Sequence, residues 1–334
     1  QGDVMNPMDG LLERLQENGI HVNNEVALAM KNVFIGSFTD FVLEPFWHDR
    51  PVPFLITESD ATKTVSAPHM IVTLLHHLEL REGQHVLLIG AKGGYIAALI
   101  DYMIGKDGMV TVVEPHPQVL EHSSERLEFH ESKGTIRVIT PISLDDEDEL
   151  NRGVDRVLIT GAIREIPLSV AGLVDDGGFV LGPFGGPIQQ QLMKKERQGV
   201  QWMDTELGPV VFGPMDLHEA ERGPLDPRTL AEHIEDALSI IVGLVEIDDE
   251  TVERIEELIE SLRGMPADIP QLDEEATEED IIEHPVVELL MAEMEWLSPM
   301  LPLFGQILSI DLENPGDWDD EDTPMVGGHE DLVP

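Results

Sequence analysis

The segment that most constrains this chain is Ile89-Gly90-Ala91-Lys92-Gly93-Gly94-Tyr95, which joins an apolar run at 85–89 to a helical stretch that starts at Tyr95. A second apolar run, 109–113, ends at Glu114, 24 positions beyond Gly90. Glycines in a strand-to-helix turn let backbone approach a ligand closely, and an acid that ends the next strand can accept both hydroxyls of a ribose. The order therefore calls for two parallel strands joined by a crossover helix, with the local chemistry of nucleotide binding. A plain tight turn followed by a solvated acid satisfies the same spacing, so the spacing alone leaves both readings open.

The surrounding text alternates apolar runs with helical stretches from about Met8 to Leu217, the pattern of an α/β domain with a mostly parallel sheet. Strands are expected at 85–89, 109–113, 136–139, 154–159 and 178–181, and helices at 95–104, 117–131 and 168–174. Together these predict a doubly wound, Rossmann-like sheet preceded by a helical N-terminal cap. Beyond Pro224 the pattern changes: Leu230, Ile234, Leu238 and Ile241 recur at helical spacing, as do Val252, Ile255, Ile259 and Leu262 among glutamates. A break at 265–270 and an acidic run at 273–280 lead to a third, Met-rich helical stretch at 281–297. The expected organisation is a flexible start at 1–7 whose Gln1-Gly2 resembles a tag remnant, an α/β domain at 8–220, an acidic helical region at 221–313 and a flexible acidic tail at 314–334. Met291, Met294 and Met300 with Trp296 suggest a contact surface, so residues 228–310 are the expected site of self-association or of a protein partner.

Charge narrows the partners. With 20 Lys+Arg against 66 Asp+Glu the formal net charge is −46, which repels a phosphate backbone and an anionic headgroup surface alike. No nucleic acid and no membrane is expected. The excess suits a salt-adapted cytoplasm, although an acidic tail explains part of it. Zero Cys removes disulfides and thiolate chemistry. No apolar run is long enough to span a bilayer and no export signal is visible, so the expected location is cytoplasmic. Asp145 to Glu149 read as a solvated charge run, and His76 and His77, being adjacent, point apart; no metal site is expected.

Several further segments carry a family resemblance. They include Val26-Ala27-Leu28-Ala29-Met30 ahead of Phe34, Asp49-Arg50-Pro51-Val52-Pro53, and Thr64-Val65-Ser66-Ala67-Pro68-His69-Met70. Farther on come Val154 to Ala162 with Ile166-Pro167, Leu173 to Gly178, and Val211-Phe212-Gly213-Pro214-Met215. Over about 8–217 this order resembles the protein-L-isoaspartate O-methyltransferases. The resemblance implies S-adenosylmethionine as cofactor and a protein or peptide substrate, methylated on the free α-carboxylate of an isoaspartyl residue or on a carboxylate of a dedicated peptide. It places Ser66 and Thr64 at the methyl-transfer site. Gly90, Ala91, Gly93, Gly94, Tyr95, Glu114 and Ile142 fall at the cofactor, and Val65, Pro68, His69, Phe212 and Pro214 beside the substrate. Such a reaction needs no general base, because a carboxylate is already ionised at neutral pH; catalysis reduces to alignment and removal of water.

The chain also departs from the family's pattern. Leu88 stands where the family has Glu, Lys92 where it has Gly, and Pro141-Ile142-Ser143 where it has Gly-Asp-Gly. These departures alter three cofactor contacts and set up the alternative expectation, a methyltransferase-fold scaffold that recruits a partner through its C-terminal helices.

Overall fold

The computed structural model describes residues 6–58, 61–145, 153–186, 189–213, 215, 217, 226–244, 247–266, 269 and 283–300. They fall into two compact units that divide after Leu217.

In the first unit the chain enters through three helices, α1 (Pro7–Glu17), α2 (Asn24–Asn32) and the single turn α3 (Glu44–Trp47). The side chains of Asn6 and Asn23 cap α1 and α2 by accepting from the amides of Met8 and Val26. A short antiparallel ribbon follows, β1 (Val52–Ile56) with β2 (Thr62–Val65), and then α4 (Pro68–His77), where Pro68 occupies the first turn and needs no amide donor.

The main sheet has seven strands: β3 (His85–Ile89), β4 (Met109–Val113), β5 (Thr135–Ile139), β6 (Val154–Ile159), β7 (Val174–Gly185), β8 (Gln190–Gln198) and β9 (Gln201–Val210). Their spatial order is β5-β4-β3-β6-β7-β8-β9; the first five are parallel, and β8 and β9 add antiparallel. The two central strands β3 and β4 are covered on both faces, so their residues are mostly apolar rather than alternating. Val86 and Leu88 pack with α5 (Tyr95–Ile104) and the N-terminal helices, whereas Leu87 and Ile89 pack on the opposite face with Leu144, Val170 and Leu217. Asp155 and Arg156, inside one of the resemblance segments, serve the fold: the Asp155 carboxylate accepts the His85 amide at 2.8 Å, and the Arg156 guanidinium lies 4.2 Å from the centre of the Phe179 ring.

Three expected elements differ from the observed ones. The helix expected at 117–131 is α6 (Pro117–Glu128), and that expected at 168–174 is only α7 (Leu168–Ala171), because Gly172 ends it and Val174 already pairs with Val154. The short strand expected at 178–181 is the middle of the longer β7. Sequence periodicity also missed the β8–β9 hairpin, which turns at Gly199 (φ +63°). Each cation of its Lys194-Lys195-Glu196-Arg197 run has a partner. Lys194 pairs with Glu79 at 2.7 Å and lies 4.3 Å from the Phe179 ring centre, Lys195 pairs with Asp204 at 2.6 Å, and Arg197 donates to the Val174 carbonyl at 2.6 Å.

The second unit contains α8 (Pro227–Leu244), α9 (Asp249–Arg263), α10 (Pro285–Ala292) and α11 (Met294–Leu297). Leu238, Ile241, Ile255, Ile259 and Leu262, on the faces that sequence spacing marked, join Val286 and Leu297 in one apolar cluster. Asp248 caps α9 through both the amide and the hydroxyl of Thr251, each at 2.9 Å. Met291 is exposed and Trp296 and Met300 pack against the cluster; residues 281 and 282 of the expected third helix lie outside the described set. Among the described residues no helix is long and apolar enough to cross a membrane.

Candidate functional site

Sheet topology sets the location. From β3 the chain winds outward through β4 to β5, then returns to the other side of β3 as β6, so the winding direction switches between β3 and β6. A crevice opens at the carboxyl ends of strands at such a switch point, and ligands of doubly wound sheets bind there. Gly90 follows β3 and Thr160 follows β6, which brings the glycine turn read from the sequence to this edge.

Four residues of the turn have positive φ: Gly90 (+89°), Lys92 (+46°), Gly93 (+77°) and Gly94 (+93°). A Cβ at Gly90 would overlap the Thr160 hydroxyl and lie 2.6 Å from the Met215 methyl; one at Gly93 would lie 2.9 Å from the Phe54 ring. The glycines thus permit both the turn and its close packing. Met215 reaches the crevice because its amide donates to the Ala162 carbonyl at 2.9 Å, while the Ala162 amide donates to Gly213 at 2.8 Å.

Glu114, at the end of β4, is 6% exposed, and its two carboxylate oxygens accept the amides of Ala91 (2.7 Å) and His116 (2.9 Å). Each oxygen keeps a further lone pair for a ligand hydroxyl. Burial pushes the Glu114 carboxyl above its usual range, and the two amides, then Lys92 and Lys63, oppose that rise. Lys92 is half-buried; burial lowers its ammonium pKa and Glu114 acts against the lowering. Leu88 is fully buried among the helices covering one face of the sheet. Ile142 stands in the short 141–145 turn after β5, 64% exposed.

Tyr95 opens α5 fully buried, with ring centres 5.7 Å from Phe38 and 6.0 Å from Phe46, and its hydroxyl has no hydrogen-bond partner among the described residues. Burial pushes its pKa upward. Its ring belongs to the core beneath the turn.

Thr64 and Val65 end β2, Ser66 follows, and Pro68 opens α4. Val65 and Pro68 are buried, while Thr64 and Ser66 are half-buried with hydroxyls that bond no protein group among the described residues. His69 is held by Asp49, whose carboxylate accepts the His69 amide at 2.8 Å and meets its ring Nδ1 at 3.0 Å. Asp49 itself has φ +58°, an uncommon conformation for a residue with a side chain. Phe212 is half-buried, its backbone clamped in both directions by the Gln190 side chain at 2.7 and 2.9 Å. Pro214, like Asp146 to Glu149, lies outside the described residues.

The rings of His76 and His77 meet at 4.9 Å, and burial lowers the pKa of both. No group of three or more His, Cys, Asp or Glu among the described residues is arranged to hold a metal ion. Sequence reasoning missed Thr160 and Met215 as walls of the crevice and Asp49 as the anchor of His69. All three stood inside segments that carried the resemblance, but nothing local showed what they would touch.

A doubly wound sheet with a glycine turn and a buried acid at its switch point defines a protein of the nucleotide-binding α/β class. A sequence profile described as Protein-L-isoaspartate(D-aspartate) O-methyltransferase matches residues 6–220. The chain belongs to this family. A protein-L-isoaspartate O-methyltransferase of Fervidobacterium nodosum is 29% identical over 208 residues, covering 61% of this chain and 99% of the relative. One of Korarchaeum cryptofilum is 29% identical over 215 residues, covering 61% and 95%. Among solved structures, a Plasmodium falciparum protein described as a protein-L-isoaspartate O-methyltransferase, in complex with S-adenosyl-L-homocysteine, superposes with a TM-score of 0.54 at 21% identity. That match covers 64% of this chain and 99% of the other, and it shows the shared fold.

Proposed function

We propose that the first unit methylates the free α-carboxylate of L-isoaspartyl residues in a protein or peptide, with S-adenosylmethionine as methyl donor. The observation that carries this reading is the family match over residues 6–220, a span that takes in both the glycine turn and the Ser66 segment. The residues at the crevice fit an adenosyl group at its ribose end: the turn is glycine-lined, and Glu114 is buried beside it with acceptor capacity left over. At the same turn the Lys92 side chain stands where the family has only a hydrogen.

When bound, the cofactor supplies a methyl on a sulfonium, which becomes a neutral thioether as the carboxylate oxygen takes the methyl. The protein's part is to orient and to dry. The Ser66 and Thr64 hydroxyls, without partners among the described residues, donate to the substrate carboxylate and fix the oxygen that attacks. Phe212 forms an apolar wall that strips water from it, buried Val65 and Pro68 anchor the segment that carries Ser66 on either side, and Asp49 holds His69 at the first turn of α4, steadying that segment. Glu114 and the backbone of Gly90, Ala91, Gly93 and Gly94 carry the nucleoside, with Tyr95 as the rigid base beneath and Ile142 at the rim. In our reading residues 228–310 offer a contact surface to a second copy or a protein partner, and the protein works in the cytoplasm.

The test is incubation of the full chain with S-adenosylmethionine labelled in its methyl group and a peptide containing one isoaspartyl residue. Base-labile label, released as methanol, should form on that peptide and not on its normal aspartyl counterpart. No ester on either peptide, at low and at high salt, overturns the proposal.

A further inference from the structure

This chain has seven lysines against 66 acids, so a half-buried ammonium with neither an ion pair nor a ring contact stands out. Lys31 pairs with Asp9, Lys194 with Glu79 and Lys195 with Asp204, each within 2.7 Å; Lys133 lies over the Tyr102 ring, and Lys106 is exposed. Lys63 and Lys92 differ from all of these. Both are half-buried, and among the described residues neither makes an ion pair or a side-chain hydrogen bond.

The fold brings the two together. Lys63 lies on β2, two residues before the fully buried Val65 and therefore on the same face of the strand. β2 packs against the 92–94 turn, and the Phe54 ring of its partner strand lies against Gly93. Both ammoniums act on Glu114 and repel each other. One carboxylate, already accepting two amides, cannot neutralise two cations, so a positive charge is left over at the mouth of the crevice in a strongly acidic protein. A small anion resolves that imbalance.

We propose that Lys63 and Lys92 form a carboxylate-binding pair at the switch-point crevice. The ligand chemistry is a carboxylate on an amino-acid moiety, and the reaction proposed above offers two sources, the amino-acid end of the adenosyl ligand and the free α-carboxylate of the isoaspartyl residue. The choice of source rests on that reaction; the existence of the pair does not.

The first experiment therefore uses simple probes. The intact protein, labelled with ¹³C at the lysine Cε, is titrated with acetate and separately with acetamide in low-chloride buffer, with exposed Lys106 as the internal control. Acetate should shift the Lys63 and Lys92 signals saturably while acetamide does not. Shifts no larger than that of Lys106, or equal for acetate and acetamide, overturn the inference.

A second experiment compares S-adenosylhomocysteine with adenosine, and an isoaspartyl peptide with its α-amide, by calorimetry on the wild type, Lys63→Met and Lys92→Met. Loss of a charge-assisted contact lowers affinity about 10- to 100-fold for the carboxylate-bearing member of one couple only, and that couple identifies the source. A preference unchanged in both couples overturns the pair as a ligand site. If acetate binds but neither S-adenosylhomocysteine nor methyl-ester formation is detected, the pair stands and the methyltransferase reading falls.

Discussion

Replacing Gly90 with alanine tests the crevice at its narrowest point. Two costs add. At φ +89° an L-residue loses roughly 1–2 kcal/mol relative to a relaxed backbone. The new methyl also overlaps Thr160, which is fully buried and donates from its hydroxyl toward the carbonyls of Ile89 (3.1 Å) and Gly90 (3.0 Å), so it cannot retreat without losing those contacts. Overpacking of this kind costs about 1–3 kcal/mol, for a sum of roughly 2–5 kcal/mol. Gly19 provides the control, since its φ is +85° and nothing lies within 4 Å of a built Cβ, so Gly19→Ala carries the backbone cost alone. Amide exchange in β3, followed in both variants, reports the opening of this unit without interference from the helical one. Gly90→Ala should lose the larger stability and should also weaken S-adenosylhomocysteine binding, because Met215 is pushed into the crevice. A difference between the two variants below about 0.5 kcal/mol would show that the crevice floor yields, and the argument from close packing would fail.

Three further outcomes are expected. Burial lowers the Lys92 pKa below its ordinary 10.5, so as pH rises toward 10.5 the unfolded chain still binds a proton that the folded one has released, and stability rises with pH in that window. In Lys92→Met this rise should flatten, as read from urea denaturation at a series of pH values; an unchanged slope refutes it. Asp101, 1% exposed, accepts the amides of Lys133 (2.7 Å) and Gly134 (2.8 Å) ahead of β5, so Asp101→Ala should cost about 3 kcal/mol by the same exchange measurement, against less than 1 for an uninvolved site. Ser66→Ala should lower methyl-ester formation about 10- to 100-fold at saturating cofactor while leaving S-adenosylhomocysteine affinity unchanged; equal loss of both would move Ser66 out of the substrate's side of the crevice.

Much of the parallel sheet was legible because a strand buried on both faces carries a short, mostly apolar run, bounded here by Gly, Pro or Asp. Hence β3, β4 and β6 and the helix from Tyr95 to Ile104 fall where the residues alone put them. The β8–β9 hairpin was not legible, since β8 carries two half-buried lysines and an arginine whose partners are Glu79, Asp204 and the Val174 carbonyl. Long side chains that bury their stems and keep their charges paired leave no apolar periodicity to read.

At the site the division follows the same physics. The sequence by itself determined the glycine turn and the acid 24 residues beyond it, because backbone freedom and strand length are local properties, and it determined the family through the order of short segments. Only the tertiary structure decided what each residue does there. It turned Tyr95 into the core and engaged Glu114 with two amides. It laid Met215 against Gly90 and set Lys63 beside Lys92 around one buried carboxylate. Those outcomes depend on which elements meet at the sheet edge, and contacts between residues far apart in the chain are fixed by how the layers pack rather than by any stretch of sequence.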